Sequence, residues 1–122
     1  MAGFLHNLGK DARRRIVEVM LISRSQRGLA DELGVTPAAI NKYMSGKTHP
    51  SDAVLERILE IADRDELIEI SRIIAEDLIH SLEEYLIWAA DHKALSPQLL
   101  DSMERILSRA RLMAVAGRIS IS

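Results

Sequence analysis

The side chains that could support catalysis or metal binding are concentrated in one segment of the sequence. They are Glu76, Asp77, His80, Glu83 and Glu84. Asp77 and His80 have the three-residue spacing of ligands in helical-bundle metal sites, which also need a second such pair and further inward carboxylates. The last predicted helix offers only Asp101 and Glu104 and no His. We therefore interpret the cluster as a solvated charged face and expect no metal.

The motifs of the common enzyme classes are missing from the sequence. There is no Cys, which removes thiol catalysis, disulfide frameworks and cysteine zinc sites, and fits a reducing cytoplasm. There is also no Ser-His-Asp set, phosphate-binding glycine loop or HExxH motif. We expect a cytoplasmic protein that is not an enzyme and needs no cofactor.

Composition and charge point instead to a folded protein with an anionic partner. Apolar residues make up 48% of the chain, enough for a buried core, and charges interrupt every long apolar run, so we expect no membrane span. Residues 10–50 hold eight Lys/Arg against four acids, a balance of +4, whereas residues 63–122 hold seven against eleven, a balance of −4. This asymmetry suggests that only the N-terminal half meets an anion.

Periodicity predicts helix almost everywhere, so we expect an all-α fold; only the tail Arg118–Ser122 alternates as a strand would. Two short helices follow each other closely in the basic half. Ser25 is the predicted N-cap of the first, which ends at Gly34. Thr36 is the predicted N-cap of the second, which has Pro37 at its first position and ends before Gly46.

This pattern predicts a helix-turn-helix. Ala30 is small where two helices must cross closely, and Val35 and Ile40 are apolar where the second helix must be held against the first. The outer face of the second helix is then free to enter a DNA major groove.

Residues 25–51 read SQRGLADELGVTPAAINKYMSGKTHPS. They resemble the lambda-repressor/Cro-type helix-turn-helix, also called the xenobiotic-response-element class. The matching positions are Gln26, Leu29, Ala30, Leu33, Gly34, Val35, Ile40, Gly46, Lys47, Pro50 and Ser51, with Leu55 and Leu59 beyond them. The resemblance covers about residues 10–62. It implies an N-terminal bundle of four or five helices, within a domain of residues 1–63, that binds operator DNA, usually as a dimer.

The resemblance also implies which residues meet DNA. The positions at base edges are Pro37, Ala38, Asn41 and Lys42; the positions at the DNA backbone are Arg24, Gln26, Arg27, Thr36, Lys47 and Thr48. Relatives often carry Gln at the first two base-edge positions, whereas the Pro and Ala here can only touch thymine methyls. Lys42 could reach guanine and Asn41 adenine. Because the reading helix otherwise has few polar residues, part of the specificity would come from DNA shape. The run Arg13–Arg15 could follow phosphates or be ordinary solvated surface.

For residues 64–122, the pattern of apolar positions predicts a hairpin of long helices that joins two copies of the chain. The apolar positions that we assign to dimerisation are Ile70, Ile74, Leu78, Leu82, Leu86, Leu99, Met103, Ile106, Ala110 and Met113. The last five step by four and three residues, which is heptad spacing. A hairpin that only covers the first domain is the alternative.

The sequence as a whole therefore predicts a double-stranded-DNA-binding transcription regulator, a repressor acting as a homodimer on a palindromic operator. One alternative is an antitoxin-type regulator whose C-terminal helices bind a protein partner. The other is a protein-binding helical adaptor without DNA contact.

Overall fold

The computed structural model describes the backbone of residues 2–121 and the side chains of residues 2–117. The described chain is entirely helical. A 3₁₀ helix at Gly3–Asn7 is followed by α1 (Lys10–Met20), α2 (Gln26–Leu33), α3 (Pro37–Ser45), α4 (Asp52–Ile61), α5 (Arg64–Asp91) and α6 (Pro97–Ile121). The all-α prediction is confirmed, and the strand pattern of the tail was misleading because α6 continues to Ile121.

The predicted helix boundaries are confirmed by the capping contacts that produce them. The hydroxyl of Ser25 accepts the Gly28 N–H at 3.0 Å, and that of Thr36 accepts the Ala39 N–H at 3.1 Å. Ser51 and Ser96 cap α4 and α6 in the same way. Each of these short contacts satisfies a backbone donor that the helix itself leaves unpaired, so the start of a helix is fixed by local sequence.

The chain divides into two compact units, Met1–Leu82 and Glu83–Ser122. The core of the first unit is a continuous set of buried apolar side chains from the 3₁₀ helix and from all of α1 to α5. These are Leu5, Leu8, Ala12, Ile16, Val17, Met20, Leu29, Ala30, Leu33, Ile40, Tyr43, Leu55, Ile58, Ile70, Ile73 and Ile74. Because the first turns of α5 contribute to it, this unit extends beyond residue 63. The functional division into residues 1–63 and 64–122 stays a prediction.

The 3₁₀ helix at the N-terminus was not predicted, although it supplies Leu5, which is 1% exposed. Arg13 holds it in place: its guanidinium donates to the carbonyl oxygens of Leu5 at 2.9 Å, Leu8 at 3.0 Å and Pro50 at 3.0 Å. It also donates to Asp52 Oδ1 at 2.7 Å. One side chain thus ties the N-terminal segment to the start of α4.

The second unit contains the end of α5, a short connection and α6. Lys93 has a left-handed backbone with φ 54°, and the Ala94 N–H donates to the Ala89 carbonyl at 2.7 Å, which closes the end of α5. The His92 ring stacks on Trp88 with ring centroids 4.6 Å apart. Helix α5 therefore ends at Asp91, and a short connection leads to the start of α6 at Pro97.

Candidate nucleic-acid interface

The geometry of α2 and α3 follows from the residues between them. Gly34 adopts φ 71°, a left-handed conformation that costs other residues energy, and it ends α2. Val35 follows, and its N–H donates to the Ala30 carbonyl at 3.0 Å. Ala30 and Ile40 are both fully buried where α2 packs against α3. The turn is therefore short, and α3 is held firmly by α2.

The outer face of α3 is exposed. Pro37, Ala38, Asn41 and Lys42 all have exposed side chains, whereas Ile40 and Tyr43 on the inner face are buried. Burial raises the pKa of the Tyr43 phenol on this inner face. The structure thus brings the four predicted base-contacting residues onto one accessible surface with a single cation, Lys42.

Most of the predicted backbone-contacting positions surround this face. Gln26, Arg27, Thr36, Lys47 and Thr48 are exposed. The loop after α3 is ordered by backbone bonds, because the N–H groups of Lys47 and Thr48 both donate to the Lys42 carbonyl, at 3.0 and 3.4 Å. The backbone that carries this cation and this hydroxyl is thereby ordered beside the end of α3.

Arg24 does not belong to this set. Its side chain is 17% exposed and lies between Glu32, which its Nε contacts at 3.0 Å, and Glu66, which accepts from its Nη1. These two ion pairs raise the pKa of Arg24 further above its already high value, the Glu66 hydrogen bond being the larger cause and burial opposing it. The DNA-backbone role predicted for Arg24 is therefore corrected: the sequence placed it beside Arg27, and the fold turns it inward.

Glu66 is the acceptor that holds Arg24, and it is a buried carboxylate, 8% exposed. It closes a reciprocal cap at the start of α5: its Oε1 accepts the Asp63 N–H at 3.0 Å, and its own N–H donates to Asp63 Oδ1 at 2.8 Å. Burial alone would raise its pKa, but hydrogen bonds from Arg24, Asp63 and Ser23 outweigh burial and lower the pKa of Glu66.

All three arginines of the run Arg13–Arg15 also contact oxygen atoms of the chain itself. Arg13 binds the carbonyl oxygens described above, Arg14 contacts Asp11 at 2.8 Å and Glu18 at 3.2 Å, and Arg15 lies 3.6 Å from Glu76. Neither interpretation offered for this run describes Arg13, which is a structural residue with a 12% exposed side chain.

A shallow depression beside the interface was not predicted. Its volume is about 260 Å³, and its lining includes Lys10, Tyr43, Thr48 and His49. Lys10 and His49 are far apart in sequence and line the same depression because α1 packs against α3. No local pattern could have identified them; the packing of α1 on α3 is the only signal. They add polar groups to the side of the interface nearest the loop.

No group of three His, Asp or Glu side chains among the residues that the structure describes is arranged to hold a metal ion. Asp77, from the cluster noted in the sequence, instead accepts the Gly9 N–H at 3.1 Å beside the start of α1. Among the described helices, none has the length and apolarity needed to cross a membrane.

Residues 21–67 match a family model described as helix-turn-helix, a family of DNA-binding transcription regulators that are generally not enzymes. No curated protein and no solved structure matches the chain. The matched segment spans α2, the turn, α3 and α4, which are the elements that build the exposed face. The chain therefore carries a helix-turn-helix domain of the lambda-repressor/Cro-like class, the DNA-binding domain of transcription regulators.

Proposed function

We propose that the chain is a cytoplasmic repressor that binds a palindromic operator in double-stranded DNA as a homodimer. The observation that carries the proposal is the outer face of α3, where Asn41 and Lys42 are exposed on a helix held by a buried α2 contact. A rigid helix with an accessible outer face and a small first turn fits the major groove of B-DNA.

Recognition would divide between two sets of side chains. Arg27, Lys47, Gln26 and Thr48 would contact phosphates and so fix the position of the domain, with a strong dependence on salt because counterions are released. Lys42 would donate to guanine O6 and N7, and Asn41 would pair with adenine. Since the face has few polar groups, DNA deformability would supply part of the specificity.

Dimerisation is supported by the apolar side chains that one copy leaves exposed. Ile106 and Met113 in α6 are 65% and 62% exposed, and Leu82 in α5 is 41% exposed. Ile70 and Ile74, which were assigned to the same interface, lie instead in the core of the first unit and are omitted from the proposed one. Leu78 packs against the same core and is omitted too, so the remaining positions are Leu82, Leu86, Leu99, Met103, Ile106, Ala110 and Met113.

Selection of bound duplexes from a random library, repeated at two salt concentrations, tests the proposal. We expect a palindrome whose half-sites are separated by one helical turn, about 34–36 Å, or a multiple of it. Repression then follows if the operator overlaps a promoter, which transcription in vitro measures. A library without enrichment at low salt contradicts the DNA-binding proposal.

The first prediction concerns Lys42 in this assay. Lys42→Ala should lower affinity for the selected operator by about 1–3 kcal/mol and relax the preference at one position in each half-site. Lys47→Ala is the matched control, because loss of a phosphate contact should weaken all sequences equally. Uniform weakening by Lys42→Ala would move Lys42 to the phosphate-binding set.

The antitoxin-type alternative draws on the same exposed surface of α6, which could take a different protein in place of a second copy. Static light scattering of the purified chain separates the two. A homodimer at micromolar concentration supports the proposal, and a chain that stays monomeric both alone and on DNA contradicts the homodimer. An adaptor without DNA contact would bind no duplex at all.

A further inference from the structure

The last helix offers an extended apolar surface. Every side chain from Glu104 to Ala116 is exposed, with Leu112 at 72% and Leu107 at 55% exposure. An isolated helix gains little stability in water from its own hydrogen bonds, and helices in proteins are stabilised mainly by packing of an apolar face. This stretch of α6 therefore needs a further apolar surface to pack against.

Helix α5 carries a matching apolar surface. Ile68, Ile79 and Leu82 are 52%, 61% and 41% exposed. With the exposed Ala75 they follow each other at intervals of seven, four and three residues, which places them along one side of the helix. The core-facing residues of α5, Ile70 and Ile73, belong to a different side. Helix α5 thus has a second apolar stripe, residues 68, 75, 79 and 82, that its own unit leaves exposed.

Charge decides which helix fits this stripe. Helix α5 contains eight acidic residues and two basic ones, a balance of −6, whereas α6 contains two acidic and four basic residues, a balance of +2. Two α5 helices side by side would repel each other, and so would two α6 helices. A pair of one α5 with one α6 is attractive.

The charged positions also lie where they can meet. Glu69, Glu76 and Glu83 are seven residues apart and so form a row on one side of α5, next to the second apolar stripe. Arg105 and Arg109 are four residues apart on α6 and both exposed. At 28 and 25 residues, α5 and α6 are about 42 and 37 Å long, so each can run along most of the other.

We propose that two copies of the chain exchange their last helices, so that α6 of each copy packs on the second apolar stripe of α5 of the other. Two-fold symmetry makes this contact twice and forms one four-helix interface. The inference rests on the homodimer of the proposed function and adds which helix meets which.

Paired charge reversals in the full-length chain test the exchange. One variant carries Arg105→Glu and Arg109→Glu; the other carries Glu69→Lys and Glu83→Lys. Each alone places like charges at both contacts, so we expect at least a tenfold rise in its dimer dissociation constant in sedimentation velocity. An equimolar mixture should form a heterodimer, because both of its contacts again join opposite charges.

A chain with all four substitutions distinguishes the other pairings. It should dimerise like the wild type if α6 meets α5, because opposite charges face each other again. If α6 met α6 instead, the α5 substitutions would compensate nothing, and this chain would stay as dissociated as the α6 variant. If α6 packed on α5 of its own chain, the mixture would give no rescue. Lack of rescue in the mixture, or a monomeric four-substitution chain, therefore overturns the exchange.

A matched control separates this inference from the DNA-binding proposal. Arg27→Glu with Lys42→Glu makes the same change in net charge as the α6 variant but lies on the helix-turn-helix. It should lose DNA binding and dimerise normally. If instead the mixture is rescued while the wild-type chain binds no duplex, the helix exchange stands and the DNA-binding proposal fails. Dissociation of this control as strong as that of the α6 variant overturns the exchange, because net charge would then be the cause.

Discussion

Arg24 and Arg27 are three residues apart, yet the fold gives them opposite roles. Arg24 is 17% exposed and neutralises the buried Glu66, whereas Arg27 is exposed beside the outer face of α3. A buried charge that loses its partner is costly, while an exposed cation can be removed with little effect on folding. The free energy of unfolding and the affinity for DNA should therefore respond to different arginines.

We expect Arg24→Ala to lower the free energy of unfolding by about 3–5 kcal/mol, because it leaves Glu66 buried without its counterion. Arg27→Ala should change stability by less than about 0.5 kcal/mol and reduce the salt slope of DNA binding by about one. Urea unfolding and titrations at several salt concentrations measure both. Adding Glu66→Gln to Arg24→Ala should recover part of the lost stability. Equal stability of Arg24→Ala and Arg27→Ala would contradict the structural role assigned to Arg24.

At the scale of elements, the position of α3 depends on the turn before it. Gly34 has φ 71° and no atom within 4 Å of the position that a Cβ would occupy. A side chain there meets open space, so any cost of substitution must come from the backbone conformation alone.

Gly34→Ala should lower the free energy of unfolding by about 1–2 kcal/mol, the cost of placing an L-residue in the left-handed region. The control is Gly3→Ala, which also points into open space but has no positive φ, so its effect should stay below about 0.5 kcal/mol. Thermal or urea unfolding provides the comparison. A neutral Gly34→Ala would mean that the turn relaxes, and α3 would then be less rigid than proposed.

At the scale of the whole first unit, two carboxylates join segments that are distant in sequence. Asp52 contacts Arg13 at 2.7 Å and His6 at 2.9 Å, and these contacts, that of Arg13 first, lower its pKa. The pKa of Glu66 is lowered as well. Carboxylates of this kind stabilise the folded state above their unfolded pKa, about 4, and that contribution is lost as the pH falls through the folded pKa.

The unit should therefore lose stability in acid. We expect the free energy of unfolding to be nearly constant from pH 7 to 5 and to fall below about pH 4. Glu66→Gln should be less stable than the wild type at pH 7, and the gap should narrow at low pH because the wild-type carboxyl is then protonated too. Chemical unfolding at a series of pH values measures the gap; a gap that stays constant to pH 3 would remove Glu66 from this account.

The sequence by itself determined the α-helices of this protein and the turn between α2 and α3, but not the 3₁₀ helix at the N-terminus. Caps such as Ser25 and Thr36, and the glycines that end helices, act within three or four residues, so their effect can be read locally. The outer face of α3 followed from the same short-range pattern.

Only the tertiary structure decided which cations remain free and which apolar stripe of α5 is buried. Arg13 and Arg24 bind carbonyl and carboxylate oxygens up to 42 residues away in sequence, and Ile70 and Ile74 are buried in the core. Ion pairing and burial depend on which distant segments meet, and no local spacing encodes that choice.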